Sequence, residues 1–188
     1  GQVTESNFPG ERTGSLPHFK VWNPFVLATL SFGYGISVTT LQLAQAYAVL
    51  AQGGVKVPVT FLKEEGDAPL GQRVMGQRIS REILAMLESV LSKGGTAPLA
   101  RVPGYRVTGK TGTVRIVGAH GYEKHHYNSI FIGIAPASQP RLVVAVILHD
   151  PKGQFYYGGY TAGPIFSHVM SNTVHLLNIA PDDVANLN

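Results

Sequence analysis

Ten residues, Gly104 to Thr113, "GYRVTGKTGT", combine glycines, one lysine and three threonine hydroxyls at spacings that suit two different chemistries. Taken as G-x-x-x-x-G-K-T, they fit a loop whose backbone N–H groups cradle phosphates, with Asp150 after "LVVAVILH" as a carboxylate to hold Mg²⁺. Taken from Lys110 onward, K-T-G-T sets a cation and two hydroxyls around a glycine, an arrangement that grips a carboxylate lying along an exposed strand. In that reading Gly112 removes a side chain that would block the ligand, and an extended peptide adds as a further strand.

The flanking residues decide between them. A phosphate loop needs a buried strand before its glycines and a helix starting at Lys110-Thr111, so that helix N–H groups and dipole meet the phosphates. The preceding "TAPLARVP" holds two prolines, and the following "TGTVRIVG" puts glycine and β-branched residues where a helix should begin. That is strand chemistry, and nucleotide binding stays only as a third, distant reading.

Three helices are expected around this strand. "TTLQLAQAYAVLAQGG" has Thr39 or Thr40 as N-cap and Gly53-Gly54 as stop; apolar on nearly every face, it predicts a buried helix. "SREILAMLESVLSKGG" predicts an amphipathic surface helix capped by Ser80, with Ile83, Leu87, Val90 and Leu91 on one stripe and Lys93-Gly94 at its end. The third opens at Pro164 and places Ile165, Phe166, Val169, Met170, Leu176 and Leu177 together. Between them, Gly66–Gly76 is the most loop-like interior stretch, and "FPGE" near the N-terminus predicts a turn.

The rest reads as strand. Residues 105 to 117 alternate and end at Gly118, "SIFIGIAP" puts Ile130, Ile132 and Ile134 on one face, and "RLVVAVILHD" predicts a strand buried on both faces, with Asp150 turning the chain ahead of Pro151. "PASQP" makes a short connection and Val117–Asn128 a longer loop. The expected class is α+β, a three-stranded antiparallel sheet packed against helices, within one domain.

Composition narrows the partners. A 44% hydrophobic content supports a packed core, and no apolar run is long enough to span a bilayer. The absence of cysteine excludes disulfides and thiolate metal sites. A net charge of +4 favours an anionic ligand, but the basic residues form no run of the kind that marks nucleic-acid arms. His120, His125 and His126 share the expected loop with no carboxylate at a metal-ligand spacing, so no metal and no cofactor is implied.

Together, "SFGYGISVTTLQLAQAYAVLAQGG", "VPGYRVTGKTGT", "FIGIAPASQPRLVVAVILHDP" and "YYGGYTAGPIF" resemble, in order and spacing, the C-terminal half of the transpeptidase domain of class B penicillin-binding proteins of the septal, cell-division type. The resemblance implies a serine D,D-transpeptidase that cross-links D-Ala-D-Ala stem peptides of peptidoglycan and is the target of β-lactam antibiotics. The family's S-x-x-K and S-x-N motifs occur nowhere in the sequence; Thr60-Phe61-Leu62-Lys63 is the nearest imitation. The chain is therefore expected to start after them and to hold residues 1–188 of a single domain's C-terminal part, inactive alone.

By the same resemblance, Lys110 contacts the S-x-N serine and supplies positive field, Thr111 and Thr113 bind the substrate carboxylate, and the Thr113 N–H forms half of an oxyanion hole, with Gly112 between them. Tyr157, Gly158 and Gly159 are expected beside the pocket, with Tyr122 and Tyr127 approaching from the other loop, although aromatic packing explains the tyrosines equally well. The expected partners are the stem peptide, β-lactams, the missing N-terminal half and cell-division proteins. The expected location is the periplasmic face of the bacterial inner membrane, with membrane attachment only through an upstream anchor. A noncatalytic peptide-binding or assembly module that keeps the K-T-G strand is the alternative.

Overall fold

The computed structural model describes residues 1–16, 23–63, 65–66, 69–118 and 121–183. Helix α1 is Pro24–Leu30, capped by the Asn23 side chain, and α2 is Thr40–Ala51. Thr39 opens α2 with a reciprocal cap: its hydroxyl accepts from the Gln42 N–H, and the Gln42 side chain accepts from the Thr39 N–H at 2.8 Å. Two short strands, β1 (Val55–Lys56) and β2 (Gln72–Arg73), pair antiparallel, the second within the Gly66–Gly76 stretch expected to be loop. Helix α3 is Gln77–Glu88, and two single turns of 3₁₀ helix follow at Ser89–Leu91 and Pro98–Ala100.

The main sheet is the expected meander. Strands β3 (Thr108–Gly118), β4 (Gly121–Ala135) and β5 (Leu142–His149) lie in the order β3-β4-β5, all antiparallel. Residues directly opposite in such a ladder share a face. Thr111 lies opposite Phe131 and Thr113 opposite Ser129, whereas Lys110 and Gly112 lie opposite Ile132 and Ile130 on the other side.

Helix α4, Gly158–Leu176, covers the Phe131 face. Ala162, Phe166, Met170 and Val174, spaced by four, are fully buried and make one stripe. The rings of Phe131 and Phe166 meet edge to face at 4.8 Å, and a Cβ on Gly133 would lie 2.7 Å from the Phe166 ring. Leu142, Val144 and Val146 of β5 pack against this core, while Val143, which alternates away from them, borders a hollow with Ala48 and Ala51 of α2 on the opposite face. After α4 the chain folds back over the sheet's end. Tyr105 donates its hydroxyl to the Ile179 carbonyl, and Asp182 accepts the backbone N–H groups of Arg106 and Ser138.

Several expectations are corrected. Ser80 does not cap α3; the helix starts four residues earlier after Gly76, and the buried Ser80 hydroxyl donates instead to the Leu50 carbonyl at 2.6 Å, tying α3 to α2. Helix α4 starts six residues before Pro164, because packing rather than propensity places it, and Ile165, Val169, Leu176 and Leu177 are exposed. Val117–Asn128 is not a long loop: β3 runs to Gly118 and β4 resumes at Gly121, with an irregularity between Arg115 and Val117. The charged and aromatic residues there carry no apolar alternation, so sequence gave them no strand signature. Strand β3 begins at Thr108 rather than 105, since Val102–Tyr105 closes a turn.

Neither α2 nor β5 holds a fully buried residue; both are half-covered, and β5 is an outer strand of its sheet. Phe25, Phe32, Leu62 and Leu70 are also exposed. The expected turn at "FPGE" forms, with the Glu11 N–H donating to the Phe8 carbonyl at 3.3 Å.

Two measurements check this packing. Phe166→Ala removes the ring that fills the notch above Gly133 and is expected to cost about 3–5 kcal/mol in urea unfolding. At the N-terminus, the Glu11 carboxylate accepts the Thr4 N–H at 2.6 Å and the Ser6 hydroxyl at 3.0 Å, which lowers its pKa, Thr4 first. A carboxyl depressed in the folded state contributes stability above its unfolded pKa and loses it as pH falls through the folded value. The Thr4 amide resonance is therefore expected to stay fixed at neutral pH and to shift only in acid, below the ordinary glutamate range.

Candidate functional site

Strand β3 lies at the edge of the sheet, and among the described residues no strand pairs with its outer side. The K-T-G residues are thus mid-strand, with no helix beginning at Lys110, which removes the phosphate-loop reading. Lys110 is exposed, and its Nζ donates to the Thr111 carbonyl at 2.9 Å and approaches the Thr111 hydroxyl at 3.3 Å. The ammonium therefore wraps back toward the threonine face.

A hollow of about 300 Å³ opens beside that face, lined by Thr111 and Thr113, by Gly95 and Thr96 from the turn before Ala97, and by the start of α4 from Tyr157 to Tyr160. The Thr111 hydroxyl bonds the Thr96 hydroxyl at 3.2 Å. Thr113 Oγ1 accepts the Gly158 N–H at 3.1 Å, which leaves its own proton free to donate. Because Gly158 opens a 19-residue helix, that hydroxyl sits where the helix dipole is positive. A cation, two hydroxyls and a helix start converge, which is chemistry for a carboxylate.

Glycines make the convergence possible. A Cβ on Gly158 would lie 2.2 Å from the Ile130 carbonyl oxygen and 2.6 Å from that of Gly112, and one on Gly159 would lie 2.0 Å from the Thr96 carbonyl oxygen. Both are buried, so they bring the helix backbone onto the sheet and the Thr96 turn as well as lining the hollow. Gly112 is on the far face, where an added Cβ would sit 3.3 Å from the Cβ of Ile130. Neither Gly112 nor Lys110 lines the hollow itself.

The tyrosines divide. Tyr127 stacks on Tyr156 at 4.2 Å, and Tyr156 stacks on Tyr157 at 4.5 Å with their hydroxyls 3.2 Å apart, so Tyr127 reaches the hollow's wall through a residue that sequence reasoning missed. The bond to Tyr157 holds the Tyr156 phenol above its usual pKa. The backbone of Tyr156 is fixed by the buried Ser129 hydroxyl, which donates to its carbonyl. Tyr122 instead packs against Tyr34 at 6.0 Å. His125 and His126 stand on β4, not in a loop, and His120 lies outside the described residues. Thr96 and Ser129 were also missed, because a hydroxyl after a helix or within a strand has no sequence signature of its own.

An antiparallel sheet with a K-T-G edge strand, facing a glycine-built helix start across a hydroxyl-lined hollow, defines the class of fold. Residues 1–171 match the penicillin binding protein transpeptidase domain, and the chain belongs to that family. It is 42% identical over 184 residues to the probable peptidoglycan D,D-transpeptidase PbpC of Pseudomonas aeruginosa, covering 98% of this chain and 32% of that protein. It is 40% identical over 182 residues to the peptidoglycan D,D-transpeptidase FtsI of Escherichia coli K12, covering 97% and 31%. The chain thus spans about a third of the length of these curated relatives. Among solved structures, the transpeptidase domain of Burkholderia pseudomallei penicillin-binding protein 3 superposes with a TM-score of 0.90 at 43% identity, over 97% of this chain and 55% of that one.

Gly158→Ala is expected to push α4 off β3 and break its bond to Thr113. The amide resonance of residue 158 should move and thermal stability should fall by about 1–3 kcal/mol, the range for overpacking.

Proposed function

We propose that the chain is the K-T-G half of a peptidoglycan D,D-transpeptidase site, which takes the terminal carboxylate of a D-Ala-D-Ala stem and, in its place, the carboxylate of a β-lactam. The observation that carries this reading is the Thr113 hydroxyl: its oxygen accepts the Gly158 N–H, so its one proton points its donor capacity at the hollow. Thr111 adds a second hydroxyl, and Lys110 the positive field.

The serine that attacks the penultimate carbonyl comes from an upstream part of the same domain. Its oxygen bonds to that carbonyl, the peptide bond to the terminal D-Ala breaks, and the amine of a second stem then displaces the serine. The Thr113 N–H serves the oxyanion formed in each step, a donor worth about 2.7–4 kcal/mol in comparable sites. Exposed Phe25, Phe32, Ile165 and Leu176 support an upstream partner that covers them. The septal type of the family makes cell-division proteins further partners and the periplasmic face of the inner membrane the place of action.

The test uses the complete transpeptidase domain. Thr113→Val and Lys110→Ala are expected to lower the second-order constant for acylation by benzylpenicillin roughly 10- to 150-fold, the equivalent of a charge-assisted hydrogen bond of about 1.5–3 kcal/mol. Against the methyl ester of the same penicillin, Thr113→Val should cost less than about threefold, since little remains for its hydroxyl to grip. Equal losses for acid and ester would contradict carboxylate recognition.

A further inference from the structure

The wall of the hollow formed by Tyr157 and Gly158, with Tyr156 stacked behind Tyr157, hangs on the connection that follows β5. Of the five residues 151–155, Lys152, Gly153, Gln154 and Phe155 are exposed, so the placement of this connection rests on its two ends and on the stack of Phe155 against Tyr160 at 5.5 Å. One end is Tyr156, held by Ser129 and by the stack on Tyr127. The other is Asp150, which turns the chain in the left-handed region at φ 50.

Asp150 is tied to β4 in two ways and to its own connection in a third. Its N–H donates to the Tyr127 carbonyl at 2.8 Å, its Oδ2 lies 2.9 Å from Nδ1 of His126, and the same oxygen accepts Lys152 Nζ. The Asp150 side chain is only 22% exposed, against 43% for His126 and 75% for Lys152, so the carboxylate is the sheltered member and its two partners are the wet ones. Lys152 first, and then His126, hold its carboxyl below the ordinary range, so it is ionised at neutral pH. Just behind it, His149 Nδ1 and Asn128 Oδ1 lie 2.8 Å apart. Residues 126 to 129 of β4 therefore grip, one after another, the last residues of β5 and the approach to α4.

We propose that His126 and Asp150 form a latch that positions Tyr156 and, through it, the Tyr157–Gly158 wall of the hollow, which makes Asp150 a positioning residue rather than a catalytic one. The inference rests on the transpeptidase reading only in using acylation as its readout. Nothing in the latch touches the hollow: it acts by fixing the start of a short exposed connection whose end presents the Gly158 N–H to Thr113. A shift at Asp150 reaches the grip on a ligand before it reaches the nucleophile.

The test is made in the complete transpeptidase domain with Asp150→Asn, His126→Ala and the double variant. Asparagine tolerates the left-handed turn, so Asp150→Asn removes the charge without adding backbone strain. Acylation by benzylpenicillin, measured against its concentration, separates the apparent binding constant K from the limiting rate. Asp150→Asn and His126→Ala are each expected to raise K about three- to tenfold, as loss of one net hydrogen bond implies. The limiting rate should change by less than about twofold, and the double variant should be no worse than the poorer single one, because paired residues are not additive. Near-ultraviolet circular dichroism of the tyrosine stack should change as well.

Wild-type K in both single variants overturns the latch, as do losses that simply multiply in the double variant or fall equally on the limiting rate. Should Asp150→Asn fail to fold, His126→Ala carries the test alone, its ring being partly in water. If Thr113→Val leaves K unchanged while the latch variants raise it, the carboxylate reading falls and the latch stands.

Discussion

The contact on which this structure turns is backbone against backbone: the first residue of α4, Gly158, lies directly on the carbonyl groups of Gly112 in β3 and Ile130 in β4. No other side chain fits there. From that fixed start the helix runs across the sheet, sets Phe166 into the notch over Gly133 and buries Met170 and Val174 further on. Its first N–H is spent on Thr113, so one short approach both seats the core helix and orients the hydroxyl that faces the hollow. Stability and site geometry are the same constraint here, which is why glycines with no chemistry of their own are as important to the site as the lysine.

The sheet adds the second condition. Because β3 is an outer strand among the described residues, one side of the K-T-G backbone has no strand partner there, and the proposed peptide ligand would lie along that edge beside the threonine hydroxyls. Elsewhere, the half-covered α2, the outer strand β5 and exposed aromatic residues near the N-terminus leave apolar surface without a cover among the described residues. The chain matches 55% of a solved transpeptidase domain and superposes on it closely, so its internal order is that of the matching part.

The meander and the K-T-G strand were legible because their signals are local: β-branched runs, a motif with glycine in a strand, turn residues between apolar segments. Thr39 declared its helix by a reciprocal cap that can be read from spacing alone. The failures share one cause. Gly158 and Gly159 argue against a helix in sequence and start one because the sheet below the first and the Thr96 turn beside the second admit nothing larger, and Ser80 looks like a cap but serves a neighbouring helix. The β3–β4 ribbon from Gly118 to Asn128 has no apolar face to announce it. Within the site, Lys110, Thr111 and Thr113 came from the motif, but Thr96, Ser129 and Tyr156 entered only through contacts between segments far apart in sequence.

The central claim is that this chain holds one half of an acyl-transfer site and that a separate upstream part of the domain holds the serine. Intact mass spectrometry after incubation with benzylpenicillin, of the 188-residue chain alone and mixed with a polypeptide carrying the upstream S-x-x-K and S-x-N motifs, tests it most directly. The account predicts no adduct on the chain alone and a single penicilloyl adduct on the upstream serine in the mixture. An adduct on the chain alone, or none in either sample, would contradict it.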